Sequence, residues 1–111
     1  MDSSAARSQG RRSRPQPFRV IREEADDRIV VRVLGDLDMA TALELRGALH
    51  PDGGRPMIID LAETTFMDSS GLNALVAAWH LGTVTAVRNP SPIVLRAIEI
   101  SGLGEVLTVE P

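Results

Sequence analysis

Apolar positions in this chain come in short bursts whose period changes between two and about 3.6 residues, so the succession of strands and helices can be read from them. Phe18-Arg19-Val20-Ile21-Arg22 alternates loosely, and the polar stretch Glu24-Ala25-Asp26-Asp27 leads into Ile29-Val30-Val31-Arg32-Val33-Leu34. Two β-rich runs joined by a short polar turn predict a hairpin. Gly35-Asp36-Leu37-Asp38 ends the second strand, and Asp38 stands where a carboxylate caps a helix over residues 39–49. Within that helix Ala42, Leu45, Ala48 and Leu49 recur at helical spacing, and Pro51-Asp52-Gly53-Gly54 breaks it. Met57-Ile58-Ile59-Asp60-Leu61 is a short, nearly continuous apolar run, as expected of a central or doubly covered strand. Residues 62–67 read as a loop that delivers the chain to Asp68-Ser69-Ser70-Gly71. Leu72, Leu75, Val76 and Trp79 then fall at i, i+3, i+4 and i+7, the clearest amphipathic helix of the chain, and Gly82 stops it. The β-branched run 83–87 suits a strand. Asn89-Pro90-Ser91-Pro92 combines a turn, a capping serine and a proline at the first helical position. A third helix is expected there, with Val94, Leu95, Ile98 and Leu103 on its apolar side and Ser101-Gly102 at its end, and residues 105–109 close with a strand.

The resulting order, β-β-α-β-α-β-α-β, predicts an α/β domain with a mixed sheet and three helices. Strands joined through helices should run parallel, with right-handed crossovers. With 111 residues, the chain suffices for one domain. Its first 16 residues carry Arg7, Arg11, Arg12 and Arg14 against Asp2 alone, and this Arg/Ser/Gln/Pro stretch is expected to be a disordered basic tail before a domain over residues 17–111.

Charge and composition narrow the function. The net charge is -3, so the domain beyond its basic tail is acidic and lacks the clustered cations that nucleic acid demands. No run approaches the ~20 apolar residues of a membrane span. The N-terminus has no apolar stretch behind its basic residues, as a secretory signal would, and a cytoplasmic protein is expected. Absence of cysteine removes disulfides, thiolate nucleophiles and cysteine-based zinc sites, and His50 and His80 lack metal-ligand spacing.

Chemistry concentrates at Asp68-Ser69-Ser70-Gly71. Both serines lie where unpaired helix N–H groups and the positive end of the helix dipole favour an anion, although Asp68 adds an opposing charge. By spacing alone the same residues also suit plain helix capping by one of them. Serine hydrolysis is disfavoured because His80 lies roughly 15 Å along the same helix, His50 could reach only through a tertiary contact, and the glycines of a nucleophile elbow are missing. Asp36 and Asp38 lack further spaced ligands for a metal and read as a strand end and a helix cap. No Walker or dinucleotide glycine pattern occurs, so no cofactor is expected.

Gly35-Asp36-Leu37-Asp38, Ile58-Ile59-Asp60-Leu61 leading to Phe66-Met67-Asp68-Ser69-Ser70-Gly71-Leu72, then Asn89-Pro90-Ser91 and Ile100-Ser101-Gly102-Leu103 together resemble the STAS family, above all bacterial anti-sigma-factor antagonists. The likeness covers about residues 18–110. It implies a non-enzymatic partner switch, monomeric when free. The unphosphorylated antagonist binds an anti-sigma factor and so frees a sigma factor; the anti-sigma factor is also a serine kinase that uses ATP to phosphorylate the antagonist, and a partner phosphatase reverses the step. The resemblance makes Ser69 the phosphoacceptor, with Asp38 near it, and places Asp36, Asp68, Ser70, Gly71, Leu72 and Asn73 in the supporting or partner-binding surface. Fewer residues separate Gly71 from Asn89 than the family commonly uses, which implies a short second helix with an intact first turn. The alternative is a STAS scaffold or accessory subunit of a stress-sensing or lipid-transport assembly, without a phosphorylation switch.

Overall fold

A computed structural model describes residues 17–50, 54–102 and 107–110. In chain order the elements are β1 (Arg19–Glu24), β2 (Ile29–Leu37), α1 (Met39–Ala48), β3 (Met57–Asp60), β4 (Thr64–Met67), α2 (Ser69–His80), β5 (Val84–Arg88), α3 (Pro92–Ile100) and β6 (Val109–Glu110). The expected hairpin is present: β1 and β2 pair antiparallel from Arg19↔Leu34 to Glu24↔Ile29, and Ala25 N donates to Arg28 O at 2.9 Å across the turn. Every other pairing is parallel, so the sheet is mixed, in the order β1-β2-β3-β5-β6 with β4 against β2.

The long central strand β2 serves two neighbours in succession. Residues 29–32 run beside β3, and Gly35, Asp36 and Leu37 run beside β4. Pairing slips between Gly35 and Asp36, and Gly35 has φ 91°, a conformation that side chains with a Cβ rarely adopt. The kink aims the end of β2, and whatever follows it, at the edge where β4 also ends.

Residues 62–67, expected as a loop, contain β4. The polypeptide leaves β3 at Leu61, turns with Thr64 N donating to Leu61 O at 3.2 Å, and resumes pairing with β2. Thr64 and Met67 are buried while Thr65 and Phe66 are exposed, a pattern without the strict alternation that identifies strands in sequence. The buried Thr64 hydroxyl donates to Val33 O at 2.8 Å, which fixes the two strands together. The observed order is therefore β-β-α-β-β-α-β-α-β, an α/β domain with one strand more than expected.

One core joins the sheet to all three helices. Val31, Val33, Ile59 and Val87 from the strands meet Leu45 of α1, Leu75 of α2, and Val94 and Ile98 of α3. Each fully buried side chain of this size stabilises the fold by about 1.5–3 kcal/mol relative to exposure. Asp60 is the buried carboxylate of the described residues, and Arg88 Nη2 meets it at 3.1 Å from the neighbouring β5. Leu95, expected on the apolar side of α3, is instead 36% exposed, because Val94 and Ile98 already define the inward stripe. Leu103, the basic segment 1–16 and the breaker residues 51–53 lie outside the described residues, as do residues 105–106 of the expected closing strand. Among the described residues no helix is long and apolar enough to cross a membrane.

Candidate functional site

Strands β2 and β4 end level with each other, in the register Leu37↔Met67. The next residue on each is an aspartate, Asp38 and Asp68, and each aspartate caps the helix that follows. Asp68 N also donates to Leu37 O at 3.2 Å, so the first turns of α1 and α2 begin side by side on one edge of the sheet.

On the α1 side, Asp38 Oδ1 accepts from Ala40 N at 3.0 Å and Thr41 N at 3.1 Å. Thr41 completes a reciprocal cap: its hydroxyl accepts from Asp38 N at 2.8 Å and donates to Asp36 O at 2.7 Å. The Thr41 N–H bond to the carboxylate, aided by the Thr41 hydroxyl and Ala40 N–H and opposed by desolvation, holds the Asp38 carboxyl below its ordinary value. Asp36 Oδ1 accepts from Thr65 Oγ1 at 2.6 Å and ties β2 to β4 directly beneath this edge.

On the α2 side the cap is Asp68, not a serine. Its Oδ1 accepts from Ser70 N at 2.8 Å and Gly71 N at 3.1 Å. Two of the amides expected to be open to an anion are thus already engaged by a carboxylate. Ser69 is exposed at the first helical position, and its hydroxyl has no hydrogen-bond partner among the described residues. Ser70 is half-buried and turns toward a hollow between α1 and α2. A Cβ on Gly71 would sit 2.7 Å from Leu37 O and 2.8 Å from Leu37 Cγ, so glycine is what lets α2 start this close to β2. Leu72 is buried and anchors the turn from below, while Asn73 is exposed beside the same hollow.

The residues singled out in the sequence therefore fall on one edge. The histidines do not join them: His80 ends α2, far from Ser69, and His50 Nε2 stands 3.5 Å from Arg22 Nη1 beside β1. Among the described residues no three His, Cys, Asp or Glu side chains form a metal-binding group. Sequence reasoning missed Thr41 and Thr65, the hydroxyls that orient Asp38 and Asp36. The Asp-x-x-Thr spacing from Asp38 to Thr41 was a usable signal, since the third helical residue is where a reciprocal cap closes. No local signal marks Thr65, whose partner lies 29 residues away.

This arrangement has counterparts. Residues 21–109 match the family model described as "Mlab, STAS domain". The anti-sigma-B factor antagonist of Listeria monocytogenes serovar 1/2a is 31% identical over 101 residues, covering 81% of this chain and 85% of that protein. An anti-sigma factor antagonist from Mycobacterium paratuberculosis superposes with a TM-score of 0.72 at 28% identity, over 86% of each chain. The anti-sigma factor antagonist SpoIIAA in its unphosphorylated form does so with a TM-score of 0.66 at 25% identity, over 86% of this chain and 88% of that one. The sheet with its bent central strand, the paired helix starts and the family match over most of the chain lead to one conclusion: this chain belongs to the STAS-domain family.

Proposed function

We propose that this chain is an anti-sigma-factor antagonist whose unphosphorylated form binds an anti-sigma factor with serine kinase activity, and that phosphorylation of Ser69 switches this binding off. The observation that carries the reading is the state of Ser69: an exposed hydroxyl with no hydrogen-bond partner among the described residues, at the first position of α2, directly after the capping Asp68. A kinase can approach it without opening the fold. Ser70, half-buried toward α1, is the less accessible of the two.

The switch follows from charge. A phosphate adds about -1.5 to -2 charges at neutral pH. Asp68 already occupies the amides of Ser70 and Gly71, so the phosphate depends on water for most of its hydrogen bonds. In the free protein that is tolerable, because the site is at the surface. In a complex the phosphate would have to give up that water beside Asp38 and Asp68, and burying an unpaired charge is costly. The domain stays folded while the partner is lost, and a phosphatase restores binding. Such a role makes the chain a cytoplasmic binding protein and kinase substrate rather than an enzyme, with no cofactor of its own.

Incubation with an anti-sigma serine kinase and ATP, followed by mass spectrometry, tests the reading. One phosphate on Ser69 is expected, and none on Ser69→Ala. Phosphate on Ser70 alone would move the acceptor by one residue, and no phosphate on either serine would favour the scaffold role.

A further inference from the structure

The acceptor edge is also where the basic N-terminal segment joins the domain. Strand β1 is antiparallel to β2, and its first residue, Arg19, stands opposite Leu34, three residues short of Leu37, where β2 reaches that edge. Residues 1–16, which lie outside the described residues, therefore join the domain at the Ser69 end of the sheet and not at the opposite end. Ser69 comes two residues after Met67 of β4, which pairs with the same strand β2. From Pro17 to Ser69 there are thus at most two strand spacings, about 10 Å, across the sheet and about three residues, roughly 10 Å, along it. An extended chain covers that diagonal of about 14 Å in four or five residues, at ~3.3 Å each, so Arg14, Arg12 and Arg11 all come within side-chain reach.

Charge supplies the reason to close that distance. Asp36, Asp38 and Asp68 gather at the edge, and no ion pair among the described residues involves any of them. Each already gives one oxygen to a donor of its own: Asp36 to Thr65 Oγ1, Asp38 to Ala40 N and Thr41 N, and Asp68 to Ser70 N and Gly71 N. A phosphate on Ser69 would have no such donors, because Asp68 holds the nearest helix amides, and it would stand among three carboxylates. The segment that starts beside it carries Arg7, Arg11, Arg12 and Arg14 against Asp2 alone. Guanidinium groups bind phosphate oxygens in pairs, and a short tether keeps them at an effective concentration on the order of millimolar.

We propose that arginines of residues 1–16, above all Arg11, Arg12 and Arg14, pair with the phosphate on Ser69 of their own chain and lay the basic segment over the acceptor edge. The inference rests on the antagonist reading above and adds an intramolecular lock to it. A partner then has to displace the segment as well as strip water from the phosphate, and a phosphatase acts only when the clamp opens. The unmodified chain offers no dianion for the arginines, and its edge stays free for the partner.

The test is the titration of the phosphate by phosphorus NMR in the full chain, with phosphoserine installed at position 69 by translational incorporation, so that no kinase is needed. The comparison is with a variant in which Arg7→Gln, Arg11→Gln, Arg12→Gln and Arg14→Gln are combined. Paired cations favour the dianion, so the wild-type phosphate should lose its second proton at a pH lower by about 0.5, a difference that about 0.5 M salt should largely remove. A nonspecific phosphatase should release the phosphate several-fold faster from the variant, while thermal unfolding of the two is the same. Equal titration and equal release would overturn the proposal. So would a difference that grows with protein concentration, which would place the contact between copies. Arg46 lines the hollow beside Ser70, and if Arg46→Gln moves the titration while the tail substitutions do not, the clamp belongs to α1 and the proposal is wrong. Failure of the lock leaves the functional reading standing as long as phosphoserine at position 69 still weakens binding to the anti-sigma kinase. If the tail variant titrates as expected but both forms bind the kinase equally, it is the functional reading that fails.

Discussion

Asp38 and Asp68 each follow a paired strand residue, and each directs one carboxylate oxygen into the first turn of a helix. Their first role is therefore structural, and their charge beside Ser69 comes with it. Asp68→Ala removes the acceptor for Ser70 N and Gly71 N, and should cost about 1 kcal/mol in chemical denaturation. An unchanged midpoint would mean that one of the serines takes over the cap. For Asp38 the consequence appears with pH. Its folded-state pKa lies below the ordinary 3.8, so its stabilisation is fully present above that value and is lost as pH falls through the depressed folded value. Asp38→Asn should therefore flatten the pH dependence of the unfolding midpoint below pH 3.8 and leave its slope near neutrality alone. An identical acid profile in wild type and variant would show that Thr41 does not stabilise the charged form.

Helix α2 meets strand β2 backbone to backbone, and Gly71 is the point of contact. Gly71→Ala must push the helix start away from Leu37 O, at a cost of about 1–3 kcal/mol for overpacking a tight site. It should also lower the rate of Ser69 phosphorylation more than Asp68→Ala does, because it moves the acceptor itself; a variant with wild-type stability and rate would contradict the contact. At this scale the sequence was informative wherever an element carried its own period or punctuation. The hairpin, α1 with Asp38, α2 with its Leu72 and Leu75 stripe, and α3 with Pro92 at its start were all legible. Strand β4 was not: its four residues alternate poorly, and it exists because Gly35 bends β2 toward it. Ser91 shows the same limit, since it stands at the cap of α3 as expected, yet its hydroxyl donates to Thr64 O at 2.6 Å instead of to its own helix. The aspartate in place of a serine at the cap of α2 was within reach of capping rules but could not be chosen among three adjacent candidates without the backbone.

For the molecule as a whole, the sheet and single core are built without Ser69, whose side chain makes no described hydrogen bond. Phosphorylation should accordingly leave the circular dichroism spectrum unchanged and shift the melting temperature by no more than a few degrees, since surface changes away from packed features stay within about 0.5 kcal/mol. A large loss of stability would instead indicate that the phosphate displaces Asp68 from the cap of α2. The fold thus holds one hydroxyl and two aspartates on a common edge. The most direct test of that account compares the affinity of the anti-sigma kinase for the unmodified chain and for chain phosphorylated on Ser69, verified by mass spectrometry. Binding by the unmodified chain and at least a tenfold loss on phosphorylation, with the fold intact, is the predicted result; equal affinity of the two forms would contradict it.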